Sequence, residues 1–134
     1  MTEIIFWKDV EKRKVDPTLF STKAQDLALK LAEDNRKIRK VNKRTQIRKF
    51  YDEVVKLDTE AKSRTVEEWD YILPLIHMLT AKAAYAKGRE LVSDAFVNFI
   101  KSSIDQTKKR EDLTVFAAFF EALMGFYTLH GPSN

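Results

Sequence analysis

Residues that form tight turns are scarce in this chain, which has only three glycines and three prolines among its 134 residues. A sheet of many strands normally places such residues at each hairpin, so the sequence favours helices. Apolar residues make up 44% of the chain and charged residues 33%, as in a soluble helical globule and unlike a disordered chain. We therefore predict an all-α fold, a bundle of about five helices in a single domain over residues 1–134.

Several classes of protein are disfavoured by what the sequence lacks. No cysteine is present, which argues against a disulfide framework and a cysteine-ligated metal site. The N-terminal apolar run Ile4–Trp7 is too short for a signal peptide core or a membrane span. The three glycines are isolated, so no phosphate-cradling loop occurs, and His77 and His130 have no partner at metal-ligand spacing. We predict a cytoplasmic, non-enzymatic protein with no membrane association, cofactor, metal or catalytic site.

Apolar residues at helical spacing predict where the first helices lie. Residues 1–20 lack such a pattern and are expected to form an N-terminal arm. The first helix is expected to start near Ser21 or Thr22, and Asn42 is the expected N-cap of the second. The segment from Leu57 to Arg64 is polar, so we expect a loop or a frayed helix end there.

End signals are clearer for the third helix. Thr65 and Glu68 form a capping-box pattern, in which each side chain accepts a hydrogen bond from the backbone of the other. The long helix that follows contains Pro74, which costs one backbone hydrogen bond and favours a bend. Gly88 is expected to stop this helix as the residue just beyond its end.

The last two helices are predicted from the same kinds of signal. Ser93 is a candidate N-cap for the fourth helix. The fifth is expected from about Asp112 to His130, ended by Gly131-Pro132. Its apolar residues make a continuous stripe, and Phe119 and Phe126 lie to the side of that stripe. The stripe is expected to face the core, and the aromatic flank is a candidate contact for a partner.

Positive charge is concentrated in one stretch of the sequence. Residues 36–49 read RKIRKVNKRTQIRK, with eight Lys or Arg and no acidic residue. The rest of the chain carries 16 basic and 20 acidic side chains, so it is mildly acidic. A block of this kind usually binds a polyanion, because Lys and Arg displace the counterions condensed on phosphates. The alternative is a solvated helix junction whose charges only confer solubility.

Two arginines in this block are four residues apart on the predicted second helix. Arg44 and Arg48 form one stripe beside the apolar face that contains Ile47 and Phe50. Packing is expected to hold their stems while the guanidinium groups reach outward, where the planar fork can donate two parallel hydrogen bonds to phosphate. The charge pattern adds two further candidates for binding a polyanion, Lys43 and Lys49.

Three stretches of the sequence also carry a family resemblance. Residues 45–51 read TQIRKFY, residues 82–89 read KAAYAKGR, and residues 116–127 read FAAFFEALMGFY. In this order and spacing they resemble the small subunit of the type III-A (Csm-type) CRISPR effector complex. The resemblance spans roughly residues 42–130. The last stretch departs from the family's usual FxEAxxAYxK, because Gly125 and Phe126 replace the Ala-Tyr pair and no lysine follows.

This resemblance implies a helical bundle without catalytic activity. Copies in the family stack into a short filament beside the backbone subunits that hold the guide RNA, line the channel for target RNA, and connect to the large polymerase-like subunit. RNA cleavage belongs to the backbone subunits, and DNA cleavage and cyclic oligoadenylate synthesis belong to the large subunit. By motif, Arg48, Lys82 and Arg89 match the family's basic positions. The expected partners are target RNA, guide RNA, both kinds of subunit and other copies of this chain.

Contacts with RNA are expected at phosphate and sugar, because the guide reads the target sequence by base pairing. Lys82, Tyr85 and Arg89 would share one side of a helix that continued to Arg89, whereas Gly88 favours a turn with Arg89 as a C-terminal cation. Two other function classes remain. One is a pure assembly protein whose basic block docks an acidic patch, and the other is a helical DNA-binding regulator, which the lack of a helix-turn-helix signature disfavours.

Overall fold

The structure, a computed structural model, describes residues 4–134. Five α-helices make up most of this part of the chain: α1 (Ala24–Lys37), α2 (Arg44–Lys62), α3 (Trp69–Gly88), α4 (Asp94–Asp105) and α5 (Arg110–His130). Two short strands, β1 (Trp7–Asp9) and β2 (Lys14–Val15), form an antiparallel hairpin ahead of them, and a π-helical turn (Leu19–Lys23) leads into α1. The predicted all-α fold of about five helices is confirmed.

Helix α5 is the central element of the bundle. It packs along α1 on one side and α2 on the other, whereas α3 packs on α4 and α2. The predicted core stripe of α5 has no solvent exposure; its members are Leu113, Phe116, Phe120, Leu123 and Tyr127. Within the described residues, α5 is also the one helix long and apolar enough to cross a membrane. A core helix meets the same criteria, and the burial of its stripe accounts for this composition.

The aromatic core is centred on Phe99 of α4. Its ring centroid lies 5.1 Å from that of Phe120 and 5.5 Å from that of Phe119. Phe119 is therefore fully buried, and the expectation that it flanks the core as a partner contact is wrong. The reason is that α5 buries more than one face, because α4 supplies a second aromatic surface against it.

The N-terminal segment packs on the end of the bundle rather than standing apart from it. Phe6 is fully buried, and its backbone N–H donates to Oε1 of Gln106 at 2.7 Å. Arg13, at a φ of 56°, donates to the buried carboxylate of Asp112 at 2.6 Å and lies 4.2 Å from the ring centroid of Trp7. Residues 1–3 of the predicted arm lie outside the described part of the chain.

Helix α2 extends further than predicted. Leu57 to Lys62 are helical, so the expectation of a loop there is wrong for these residues. Leu57 and Ala61 are buried, and the Asp58 carboxylate accepts a hydrogen bond from the Thr114 hydroxyl of α5 at 2.8 Å. Packing against α5 therefore continues through a segment whose composition is polar, because three of its side chains face inward.

The ends of α3 match one prediction and correct another. The two hydrogen bonds of the predicted capping box are formed, since Thr65 N–H donates to Oε1 of Glu68 at 3.0 Å and Glu68 N–H donates to Oγ1 of Thr65 at 3.3 Å. They lie in the turn ahead of the helix, however, because α3 begins at Trp69 with Glu68 as its N-cap residue, so Thr65 is not the N-cap as the pattern predicts. Gly88, however, is the last helical residue and has no positive φ; the left-handed residue after the helix is Glu90, at a φ of 60°. At the start of α4, Ser93 is the N-cap residue, as predicted.

Candidate nucleic-acid interface

The basic block is anchored to the bundle through Asn42, a buried residue in the left-handed conformation with a φ of 60°. Its Nδ2 donates to the carbonyl of Leu31 at 3.2 Å and to Oγ of Ser93 at 2.9 Å, and its Oδ1 accepts the N–H of Ser93 at 2.9 Å. The prediction that Asn42 is the N-cap of α2 is therefore wrong. Lys43 is the N-cap residue, and its side chain forms no capping hydrogen bond. The Asn42 side chain instead links a carbonyl of α1 to Ser93 at the start of α4.

The backbone of Asn42 completes this anchor. Its N–H donates to the carbonyl of Leu91 at 2.9 Å, and its carbonyl accepts a hydrogen bond from the hydroxyl of Tyr127 at 2.6 Å. Burial raises the pKa of Tyr127, so the phenol keeps its proton and remains a donor across the physiological range. The segment 38–43 is thus fixed against α5 and against the loop that follows α3.

This anchoring brings two sequence-distant segments together. The segment 38–43 lies beside residues 89–93, where Lys40 forms an ion pair with Glu90. Arg89 belongs to the second segment, immediately after the end of α3, and its N–H donates to the carbonyl of Tyr85 at 3.1 Å. Arg89 is therefore at a turn, one of the two positions that the sequence left open.

Three of the predicted RNA-binding residues surround one groove between α2 and α3. The groove has a volume of about 330 Å³, and its lining includes Lys49, Lys82 and Arg89. The Arg89 guanidinium lies 5.7 Å from the ring centroid of Tyr85, which is largely exposed. Nζ of Lys82 is 3.7 Å from a carboxylate oxygen of Glu53, a solvent-exposed pair of the kind that contributes little stability. These cations are held near one another and remain accessible.

The other predicted residues lie outside the groove lining, near the start of α2. Lys43 and Arg48 are exposed, and within residues 4–134 their side chains form no hydrogen bond or ion pair. Arg44 is half-buried, and its Nη2 donates to the carbonyl of Ser133 at 2.8 Å. The two arginines of the predicted stripe therefore differ in their surroundings. The Arg44 guanidinium contacts the C-terminal segment, whereas Arg48 is exposed to solvent.

Sequence reasoning missed two contributors to this surface. Asn42 determines where the basic segment lies, but its sequence signal, an asparagine just before a helix, is the same as that of an ordinary N-cap. Gln46 lines the groove together with Lys49. Its position three residues before Lys49 puts both on the same face of α2, and that spacing could have identified it from the sequence. We refer below to Lys43, Arg44, Arg48, Lys49, Lys82 and Arg89 together as the basic surface.

A larger groove lies elsewhere, between α1 and α4, with a volume of about 820 Å³. Its lysines, Lys23, Lys30 and Lys101, share the lining with Asp26 and Asp105. Two carboxylates among three lysines make this groove a poorer match for a polyanion than the smaller one, whose three cations share the lining with Glu53 alone. Among the described residues, no group of three or more His, Cys, Asp or Glu side chains is placed to hold a metal ion.

Comparison with known proteins agrees with the geometry. Residues 16–133 match a family model described as Csm2 Type III-A, which covers the helical bundle and the whole basic surface. No curated protein and no solved structure matches the chain. Because the family match extends over most of its length, the chain belongs to the Csm2 Type III-A family, the small subunit of the type III-A CRISPR effector complex.

Proposed function

We propose that this subunit holds RNA in the effector complex through the basic surface, without catalysis of its own. Lys43, Arg44, Arg48, Lys49, Lys82 and Arg89 contact phosphates and sugars of the target RNA, and of the guide RNA where the two strands run together. Copies of the chain associate into a short filament beside the backbone subunits and contact the large polymerase-like subunit. The surface is indifferent to sequence, because the guide supplies sequence recognition by base pairing.

The observation that carries this proposal is the convergence of Lys49, Lys82 and Arg89 on one groove, beside a basic segment that is fixed in place by Asn42. Residues 36–49 contain no acid, and Lys49 and Arg89 form no ion pair within the described residues. Phosphates bind such a surface by releasing condensed counterions, and the long lysine and arginine side chains can follow the backbone without a fixed base register.

The basic surface also favours RNA over a protein ligand for a physical reason. Its cations are distributed around the groove and along the exposed start of α2 rather than packed into one patch. A polymer with one negative charge per nucleotide can contact separated cations in succession, whereas a compact acidic patch would reach only some of them. Exposed Tyr85, beside Arg89, offers an aromatic ring of the kind on which an unpaired base stacks.

Replacing Lys49, Lys82 and Arg89 together by alanine tests the proposal. We expect weaker binding of the effector complex to target RNA, and a slope of log K against log salt that flattens by about 2.1, since each lost contact contributes about 0.7. The fold should survive, because all three side chains are solvent-exposed. Circular dichroism checks the fold, and fluorescence titration across a salt series measures the slope.

The matched control replaces three lysines of the N-terminal hairpin, Lys8, Lys12 and Lys14, which are exposed and form no ion pair within residues 4–134. Arg13 is unsuitable as a control because it binds the buried Asp112 carboxylate. Equal weakening by both triple variants would show that net charge alone acts, which contradicts a specific surface. If the Lys49/Lys82/Arg89 variant by itself bound RNA as well as the unmodified chain but failed to enter the complex, the basic surface would instead dock a protein neighbour.

A further inference from the structure

The four residues that follow α5, residues 131–134, turn back over the start of α2, and we call them the strap. Nη2 of Arg44 donates to the carbonyl of Ser133 at 2.8 Å. The carbonyl of Asn134 accepts two more hydrogen bonds, from the N–H of Thr45 at 3.2 Å and from its hydroxyl at 3.0 Å. Two backbone carbonyls of the strap therefore hold three donors of the first turn of α2, and one of these donors belongs to the basic surface.

The turn that directs the strap lies at the end of α5. The Gly131 N–H donates to the carbonyl of Tyr127 at 2.8 Å. A Cβ atom at Gly131 would lie 2.7 Å from that carbonyl oxygen and 2.8 Å from Cε1 of the Tyr127 ring, so a larger residue would displace one of them. Pro132 cannot continue the helix, and its fixed φ lowers the conformational entropy of the strap. Glycine and proline together therefore favour the return of the chain towards α2.

The far end of the strap is held only through its backbone. Ser133 and Asn134 are exposed, and so is Thr45. Within residues 4–134 the side chains of Ser133 and Asn134 form no hydrogen bond. Hydrogen bonds at exposed positions exchange with water at a small net cost, and ordering a segment opposes them through lost entropy. The strap can therefore detach while the helical bundle stays intact.

The donors that the strap covers are well suited to phosphate. A carbonyl oxygen carries only a partial negative charge, whereas an ionised phosphate oxygen forms a shorter and stronger hydrogen bond with guanidinium. The planar fork of an arginine can donate two parallel hydrogen bonds to phosphate, whereas Arg44 donates one to the strap. Residues 36–49 contain no acid that would compete for Arg44. RNA therefore offers the start of α2 a better ligand than the strap does.

We propose that the strap competes with RNA for Arg44 and Thr45, and that an RNA phosphate at the start of α2 displaces it. In the closed form the strap carbonyls hold these donors. In the open form the Arg44 guanidinium and the N–H and hydroxyl of Thr45 bind the phosphate instead, so Thr45 is a further RNA-binding residue. The inference rests on the proposed function, because it specifies how access to one end of the basic surface is regulated.

Competition of this kind lowers the apparent affinity for RNA, because only the open form offers all of its donors. The groove lined by Lys49, Lys82 and Arg89 lies outside the strap contacts, so RNA can bind there while the strap is closed. A strand held in the groove then has a high effective concentration at the start of α2. The strap is therefore displaced by RNA that is already bound, and it covers Arg44 when no RNA is present.

A spin label on residue 134 tests the displacement directly, because the chain has no cysteine of its own. Asn134→Cys keeps the backbone carbonyl through which this residue is held. Adding oligouridylate to the labelled full chain should raise the mobility of the label, with the same midpoint as RNA binding measured by fluorescence titration. A label at Lys101→Cys, an exposed position of α4, is the matched control and should keep its mobility.

Pro132→Gly tests the competition by weakening the closed form, since glycine increases the entropy of the open strap. We expect this variant to bind oligouridylate about threefold more tightly, because a larger share of the molecules is open. Arg44→Ala should then cost about twofold more RNA affinity in the Pro132→Gly background than in the unmodified chain, where the same change also loosens the strap. Arg48→Ala is the matched control, because Arg48 is exposed and forms no hydrogen bond within the described residues, so its cost should be equal in both backgrounds.

RNA binding without a change in the mobility of the Asn134→Cys label would overturn the inference while leaving the proposed function intact. A label that is fully mobile before RNA is added would also overturn it, since the strap would then be open from the outset. Equal RNA affinities of the Pro132→Gly variant and the unmodified chain, with the same cost of Arg44→Ala in both, would have the same meaning. Failure of the unmodified chain to bind oligouridylate, alone or within the effector complex, would instead contradict the proposed function and the inference with it.

Discussion

The basic surface combines cations of two helices, α2 and α3, with two that lie just outside them, Lys43 and Arg89. By contrast, Tyr71, Leu75 and Met78 are exposed apolar residues of one regular helix, and we call them the outer ridge of α3. Segment 38–43 keeps its position through buried hydrogen bonds of Asn42 and Tyr127. The outer ridge needs no such anchors, because the geometry of α3 alone aligns its side chains. One surface therefore depends on tertiary contacts far along the chain, and the other depends on helix formation.

This difference predicts how the two surfaces respond to damage in the core. Loss of the anchor should displace segment 38–43 while α3 keeps its ridge, and changes on the exposed side of α3 should leave the anchor unaffected. Three substitutions follow, in order of decreasing effect: two break the anchor, and one on α5 should leave both surfaces unchanged.

Replacing Asn42 by alanine should lower the free energy of unfolding by about 3 kcal/mol. Alanine lacks the hydrogen bonds to Leu31 and Ser93, and it is strained at a φ of 60°. RNA affinity should fall as well, because the basic segment loses its attachment. Urea unfolding measures the stability, and a second variant, Asn42→Gly, should recover the conformational part. A loss below 1 kcal/mol would show that the anchor does not hold the segment.

Replacing Tyr127 by phenylalanine should cost about 1–2 kcal/mol, since the buried carbonyl of Asn42 loses its donor. Burial raises the pKa of Tyr127, so the folded protein keeps the proton while the unfolded chain releases it near pH 10. The native protein therefore loses stability above about pH 10, and its advantage over the variant should narrow there. Exposed Tyr71→Phe is the control, and it should change stability little because the Tyr71 side chain is mostly in solvent.

Replacing Gly125 by alanine should raise the free energy of unfolding by about 0.5–1 kcal/mol, since alanine favours the helix and the added methyl group meets no atom. RNA binding by the isolated chain should not change, because Gly125 lies on α5 outside the basic surface. Thermal unfolding measures the gain. Any destabilisation would show that the fold of a single chain needs the glycine at this position.

Much of the helical framework was predictable because helix signals are local. The stripe of α5 and the capping box of Thr65 and Glu68 each depend on residues within a few turns, and both are present. The helical residues from Leu57 to Lys62 at the end of α2 were missed because apolar residues are sparse in this segment. Its side chains are buried by contact with α5, which the local sequence does not reveal. Phe119 was misassigned for a similar reason, since only the position of α4 shows that α5 is covered on that side.

In the candidate site, too, features with a local sequence signal were predicted and features set by tertiary contacts were not. The basic block is visible as a run of charge, and the groove residues Lys82 and Arg89 came from the family resemblance. Lys49 and Lys82 line one groove although they lie on different helices, and Arg44 contacts Ser133; neither arrangement has a local signature in the sequence.

The attachment of the N-terminal segment to α4 and α5 has a consequence for how the chain folds during synthesis. The Phe6 N–H and the Gln106 side chain that accepts it are 100 residues apart, and the Arg13–Asp112 pair is 99 residues apart. A ribosome adds about 5–20 residues per second, so these N-terminal groups wait on the order of 5–20 s for their partners. During that interval Phe6 and the inner side of α1 have no core to enter. The nascent chain is then most exposed to aggregation, and completion of α5 ends that period.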